Sequence, residues 1–162
     1  MAEVLEVQQL LADTYEPKRK FRWIMSINGI DAFTLKTATR PQITFEETVI
    51  DYVNMKRYLA GKPAWQQMNL TLYDPIVPSA AQKVMEWVRL AFENVTGRMG
   101  YAQFYQKTIN LKMLDPVGAV VEDWELQNSW IVDANFNDLD YAVSDPVDIN
   151  LTLRYNQALL LF

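Results

Sequence analysis

The longest strand-forming pattern in the chain runs from Gln42 to Tyr73. Its first half is rich in β-branched and aromatic residues: Ile43, Thr44, Phe45, Thr48, Val49, Ile50, Tyr52 and Val53. These types suit a pleated, half-buried surface. The stretch is longer than an ordinary strand of roughly 5–6 residues, and it alternates poorly. Glu46, Glu47 and Asp51 interrupt it, and Lys56 and Arg57 follow, ahead of Tyr58. A strand with one buried face should show one clean apolar side, yet here apolar residues fall on both sides. Ala60-Gly61-Lys62-Pro63 predicts a break and Trp65 to Tyr73 a second strand. In that strand Met68, Leu70 and Leu72 share one face, with Gln67, Asn69 and Thr71 on the other. Two readings fit residues 42–62: an arm that leaves its own barrel to pack on a neighbouring copy, or an over-long edge hairpin of a monomer.

The rest of the chain divides by period. Val4, Leu5, Val7, Leu10 and Leu11 predict a short helix over Ala2–Thr14, and Glu16–Lys20 a basic linker. Phe21–Asn28 alternates as a strand. Asn28-Gly29 predicts a type I′ hairpin turn, which needs positive φ at both central positions, with a return strand over Ile30–Thr39. Ser79 with Gln82 three residues on fits a helix capping box. Ala81, Val84, Met85, Val88, Ala91, Phe92 and Val95 form the apolar stripe of a helix running to Val95, with Gly97 at its left-handed end. Further strands follow: Tyr101–Asp115 with Ile109, Leu111 and Met113 inward; Val120–Asp133 with Trp124, Leu126, Trp130 and Val132 in register, interrupted at Asn128; and Val147–Tyr155. Pro116-Val117-Gly118 and Phe136–Tyr141 read as loops. The tail Ala158–Phe162 is apolar and needs a partner to cover it. Asn-Leu-Thr-Leu occurs at Asn69–Leu72 and again at Asn150–Leu153, which suggests two strands of similar environment in one sheet. The expected fold is mainly β (α+β), a single domain over 1–162. It is a barrel or sandwich of antiparallel strands with one flanking helix and a short N-terminal helix.

Composition narrows the chemistry. Half of the 162 residues are hydrophobic, as in a globular protein with a real core. No apolar run approaches the ~20 residues of a membrane span, and no leader pattern opens the sequence, so no membrane segment is expected. Cysteine and histidine are both absent, which removes thiolate zinc sites, disulfides and every Ser-His or Cys-His device. The five glycines cannot assemble a phosphate-cradling loop. Glu46 and Glu47, adjacent in a strand, point to opposite faces and cannot act as a dyad. Asp123 and Glu125 could share a face, as a glycosidase-like pair requires. Asp133, Asn135, Asn137 and Asp138 loosely resemble a calcium loop but lack its glycine and distal glutamate. Solvated surface explains these clusters equally well, so no catalysis and no cofactor is expected. Net charge is −5, and after Leu114 Arg154 is the only base against nine carboxylates. That acidity opposes wrapping nucleic acid through phosphate contacts. Two non-enzymatic classes remain, a small-ligand barrel and a self-assembling subunit.

The order of elements resembles the tail tube proteins of contractile-tailed bacteriophages, and the related type VI secretion and pyocin tubes. The residues that carry it are LKTATRP at 35–41, KRYLAGK at 56–62, Trp65 with NLTLYD at 69–74, Met85-Glu86-Trp87, and the strand Val147–Tyr155. The resemblance implies a structural virion protein whose hexameric rings stack into a hollow tube inside a contractile sheath. Baseplate and terminator proteins would cap its ends. Double-stranded DNA would pass through without specific binding, and assembly would take place in the host cytoplasm. A tube-initiating baseplate protein fits the same pattern. On this reading Gln67, Asn69, Thr71, Asp148, Asn150 and Thr152 are candidates to line the channel. Glu46, Glu47, Asp51, Tyr52, Lys56, Arg57 and Tyr58 are candidates for the inter-subunit arm.

Overall fold

The computed structural model describes residues 7–11 and 14–162. Two strands with strict alternation lie at its centre. β5 (Met68–Tyr73) buries Met68, Leu70 and Leu72; β8 (Asp148–Arg154) buries Ile149, Leu151 and Leu153. They pair antiparallel, and the repeated tetrapeptide lies against itself. Asn69 sits opposite Thr152, Leu70 opposite Leu151, and Thr71 opposite Asn150. The sequence echo therefore does mark two strands of one sheet. β2 (Leu35–Ala38) flanks β5, and the C-terminal half of β7 (Val120–Asn135) flanks β8.

A second group of strands is built on the other half of β7: β6 (Lys107–Leu114) with β1 (Trp23–Ser26) beyond it, and β9 (Gln157–Leu160) on the opposite side. Every named pairing is antiparallel, and the expected mainly-β sandwich or barrel is present, open between β1 and β2. β7 serves both groups because Asn128 takes a positive φ of 56°. One left-handed residue inverts the alternation. Leu126 faces the core before it, and Ser129 and Ile131 after it. Trp130 and Val132, expected to continue the inward register, lie on the outer side instead. Trp130 meets Tyr105 edge-on, with ring centroids 6.3 Å apart.

Four further expectations are corrected. Asn28-Gly29 does turn, but only Gly29 has positive φ (89°), and the only ladder across the turn is the Ile27–Ile30 bridge. β1 pairs with β6, and β2, after a 3-10 turn at Ala32–Thr34, pairs with β5. The helix α1 spans Ala80–Ala91, capped as expected by Ser79, whose side chain accepts from the Gln82 amide. It stops short of Val95 because the chain reverses on itself: Phe92 bridges Met99, and the Gly100 amide donates to the Ala91 carbonyl. Gly97 is left-handed as expected (φ 67°) but lies in the reversal beyond the helix, and the close approach is made at Gly100, where a Cβ would lie 2.1 Å from the Leu90 oxygen. The buried face of α1 is Ala80, Val84 and Trp87. The Trp87 indole donates to the Tyr105 carbonyl at the end of a short helix α2 (Ala102–Tyr105) that the pattern had merged into a strand. The apolar tail is not free either. β9 buries Ala158, and the Leu161 amide bonds the Asp123 carbonyl, while Leu160 and Phe162 keep much of their side chains in solvent.

Of the expected N-terminal helix over 2–14, the described part is a 3-10 turn at Val7–Leu10; residues 1–6 and 12–13 lie outside the described set. No helix among the described residues is long and apolar enough to cross a membrane.

Candidate assembly surface

The stretch that drew attention in the sequence is a two-stranded hairpin standing apart from the rest. β3 (Ile43–Tyr52) pairs only with β4 (Met55–Trp65), and the turn is at Val53-Asn54. The expected break at Ala60-Gly61-Lys62-Pro63 is instead a bulge inside β4: Phe45 faces Pro63 but Glu47 faces Ala60. Gly61 is needed there, since a Cβ would sit 2.7 Å from the Glu46 carbonyl oxygen. Gly61→Ala should therefore disturb the arm's register, visible as altered cross-strand contacts by NMR, with little change in the melting temperature of the sheets below.

The arm places its charges and rings on both faces. Asp51 lies opposite Lys56 and Val49 opposite Tyr58 on one side; Ile50 lies opposite Arg57 and Tyr52 opposite Met55 on the other. Phe45, Tyr52, Met55 and Tyr58 are each more than half exposed, and Val53 wholly so. The chain as a whole exposes 12371 Å². A compact monomer of 18.8 kDa would expose roughly 8,300 Å². The exposed rings of the arm belong to that excess, and exposed apolar area of this kind marks an interaction site.

The arm's root is fixed to the barrel. Trp65 packs beside the buried Tyr155, ring centroids 6.2 Å apart, and the Gln66 amide donates to the Gln42 carbonyl at 2.8 Å. Arg40, just before β3, reaches Glu122 at 2.6 Å. Lys18, from the basic linker, and the Trp124 indole donate to the same carboxylate. Burial alone would push the Glu122 carboxyl up. The bonds from Lys18, Trp124 and Arg40, with the Arg40 charge, outweigh it and hold the group below its ordinary value. A depressed carboxylate contributes stability that is present above its unfolded pKa of roughly 4.3 and is lost as pH falls through the folded value. The melting temperature should therefore fall on acidification from about pH 7 to about pH 3, and fall less steeply in Glu122→Gln. Removing both cations, Lys18→Ala with Arg40→Ala, strands the buried charge and should cost ~3–5 kcal/mol in chemical denaturation.

The outer face of β5 and β8 is a polar ladder. The Thr71 hydroxyl donates to Asn150 Oδ1 (3.1 Å), and the Thr152 hydroxyl to Asn69 Oδ1 (3.3 Å), a matched pair produced by the self-facing repeat. Asn150 also donates to Asn137, whose own amide holds the Asp148 carbonyl. Asp148 accepts from Lys36 at 2.8 Å, and that bond raises the Lys36 ammonium above its ordinary value. The structure thus brings Asn69, Thr71, Asp148, Asn150 and Thr152 onto one face. Gln67 lies outside β5, in the link that joins it to the arm.

Of the remaining candidates, Glu125, Asn135 and Asn137 have side-chain hydrogen-bond partners, whereas the buried Asp123 Oδ1 has none among the described residues. Asp123 and Glu125 stand opposite Lys112 and Asn110 across β6, and Glu125 accepts from Gln127. Asn135 caps the Asn137 amide, and Asn137 has a positive φ of 60°. Among the described residues no group of three or more acidic side chains is arranged to hold a metal. The space between the strand groups is filled by the core residues. Grooves of about 660 and 710 Å³ lie outside it, one along the 137–148 loop and one at the seam between β1 and β2. Glu122 was missed as the arm's anchor. Its signal in the sequence was a carboxylate on the core-facing side of a strand, next to an indole.

No family model and no curated protein sequence matches the chain. Solved structures do. A chain of the PVC sheath–tube complex, an extracellular contractile injection system in its extended state, is 14% identical with a TM-score of 0.71, covering 97% of this chain and 98% of that one. The chain has the tube-protein fold of contractile injection systems. A chain of the anti-feeding prophage baseplate is 16% identical with a TM-score of 0.70, over 91% of this chain and 97% of that one. Hcp1 from Flavobacterium johnsoniae is 12% identical with a TM-score of 0.55, over 87% and 95%. At these identities the likeness is one of fold.

Proposed function

We propose that this chain is a non-catalytic structural subunit. Six copies close a ring, and rings stack head to tail into a hollow tube within a contractile sheath, capped by baseplate and terminator proteins. The observation that carries the reading is the arm: a hairpin with apolar side chains on both faces, rooted in a barrel of the tube fold and in contact with little else of its own chain. Repeated head-to-tail contacts that do not close along the axis give filaments. The arm, including Glu46, Glu47, Lys56 and Arg57, is the element that reaches the next copy. Acidic groups of the neighbour's C-terminal third receive the two bases. The likeness to a baseplate chain favours a second placement in the same particle, as the tube's first ring.

The Asn69–Thr152 and Thr71–Asn150 ladder lines the bore. Its centre carries no charge, and Asp148 is neutralised by Lys36. Hydroxyl and amide groups give phosphates far less to grip than Lys or Arg, and the one base of β8 on this face, Arg154, lies at its end, so double-stranded DNA slides through without being held. Placing Lys at Thr71 and Thr152 should slow release of the cargo from assembled particles, read as ejection kinetics. Normal delivery by such particles would remove the ladder from the bore. Self-association itself is tested by sedimentation velocity over rising concentration, where large assemblies are expected and a constant monomer would refute the subunit role.

A further inference from the structure

One buried carboxylate joins two segments: the basic linker, and the β3 side of the arm's root, whose β4 side is held separately by Trp65 and Gln66. The Glu122 side chain is 4% exposed, whereas those of Lys18 and Arg40 are 50% and 58% exposed. Packing therefore does not fix either cation. The carboxylate does, because a buried charge left unpaired is costly. Lys18 belongs to the linker that follows the N-terminal segment, and Arg40 stands three residues before β3. Among the described residues neither has another acidic partner. The Trp124 indole, also bonded to Glu122, fixes the carboxylate from within its own strand. Met113, the partner of Glu122 across β6, is itself buried.

Leverage makes this anchor consequential. Ten residues of β3 extend roughly 33 Å at ~3.3 Å per residue. A tilt of about 10° at the root moves the tip by roughly 6 Å, more than the spacing between neighbouring strands. We infer that Glu122 is a positioning residue that aims the arm: through Arg40 it fixes the angle at which the hairpin leaves the barrel, and through Lys18 it ties the N-terminal linker to the same point. Releasing the carboxylate frees both segments together, while releasing one cation frees only its own. This concerns the isolated chain and does not depend on ring formation.

The absence of cysteine allows clean paired labelling. Spin labels at Asn54→Cys, in the arm's turn, and Val117→Cys, in the loop between β6 and β7, report the arm's angle in monomers by pulsed electron paramagnetic resonance. The parent should give one narrow distance distribution. Glu122→Gln and Arg40→Gln should each lose that narrow component. Lys18→Gln should keep it and instead speed trypsin cleavage after Arg19 and Lys20. Arg40→Gln changes a half-exposed side chain and leaves Glu122 with Lys18 and Trp124, so it reads the arm even if Glu122→Gln does not fold. A distribution in Arg40→Gln as narrow as the parent's, with unchanged circular dichroism, overturns the inference.

Discussion

Replacing Val49, Tyr52, Tyr58 and Leu59 with serine is expected to abolish self-assembly while leaving the melting temperature of the barrel nearly unchanged. These side chains lie on both faces of a hairpin that pairs with no other strand, and each is 45–63% exposed. The isolated chain therefore loses little when they shrink. The assembly loses the apolar burial that drives it. At ~25 cal/mol per Å², half-burying four such side chains contributes on the order of 4 kcal/mol per contact, roughly a thousandfold in association. Reversing Lys56 and Arg57 should weaken assembly less and in a salt-dependent way, because exposed ion pairs each contribute ~0–1 kcal/mol. Sedimentation velocity, paired with circular dichroism melts, separates the two effects. Full-sized assemblies from the four-serine variant would show that the contacts lie elsewhere.

Leu151→Ala should have the opposite profile. Leu151 is fully buried opposite Leu70, in the strand pair that both halves of the repeat build. Truncating a core leucine costs ~2–5 kcal/mol, which in a domain of this size lowers the melting temperature by roughly 5–15 °C. Asn150→Ala, one residue earlier on the outer face, loses the exposed bonds from Thr71 and to Asn137 and should cost about 1 kcal/mol, less than the core truncation. Scanning fluorimetry of the two variants compares the faces directly. Equal losses would contradict the assignment of one face to the core and the other to water.

Alternation made the central sheet legible. Met68, Leu70 and Leu72, and Ile149, Leu151 and Leu153, are inward as their period predicts, and the four-residue echo correctly marks two strands of one sheet. Local signals misled where long-range partners decide. Asn28-Gly29 turns, but nothing local reveals that β1 continues to β6 while β2 crosses to β5. Gly-Lys-Pro reads as a break, yet in an isolated hairpin Pro63 leaves no neighbouring strand without a donor, and Gly61 makes room for a bulge. Asn128 was visible as an interruption. That it would invert the face of everything after it follows only from its left-handed backbone. The arm was legible because its pattern fits no single buried face. The charges around it were legible only as composition: Glu122 lies 82 residues from Arg40, and no sequence period connects them.

The central claim is that the exposed hairpin is satisfied by another copy of the same chain around an open bore. Electron microscopy of the purified protein, with class averages viewed down the particle axis, tests it most directly. Six-fold rings with a hollow centre, stacked into tubes, and arm density lying on the adjoining subunit are the expected result. Single compact particles at every concentration, with residues 43–65 folded back onto their own sheets, would contradict it.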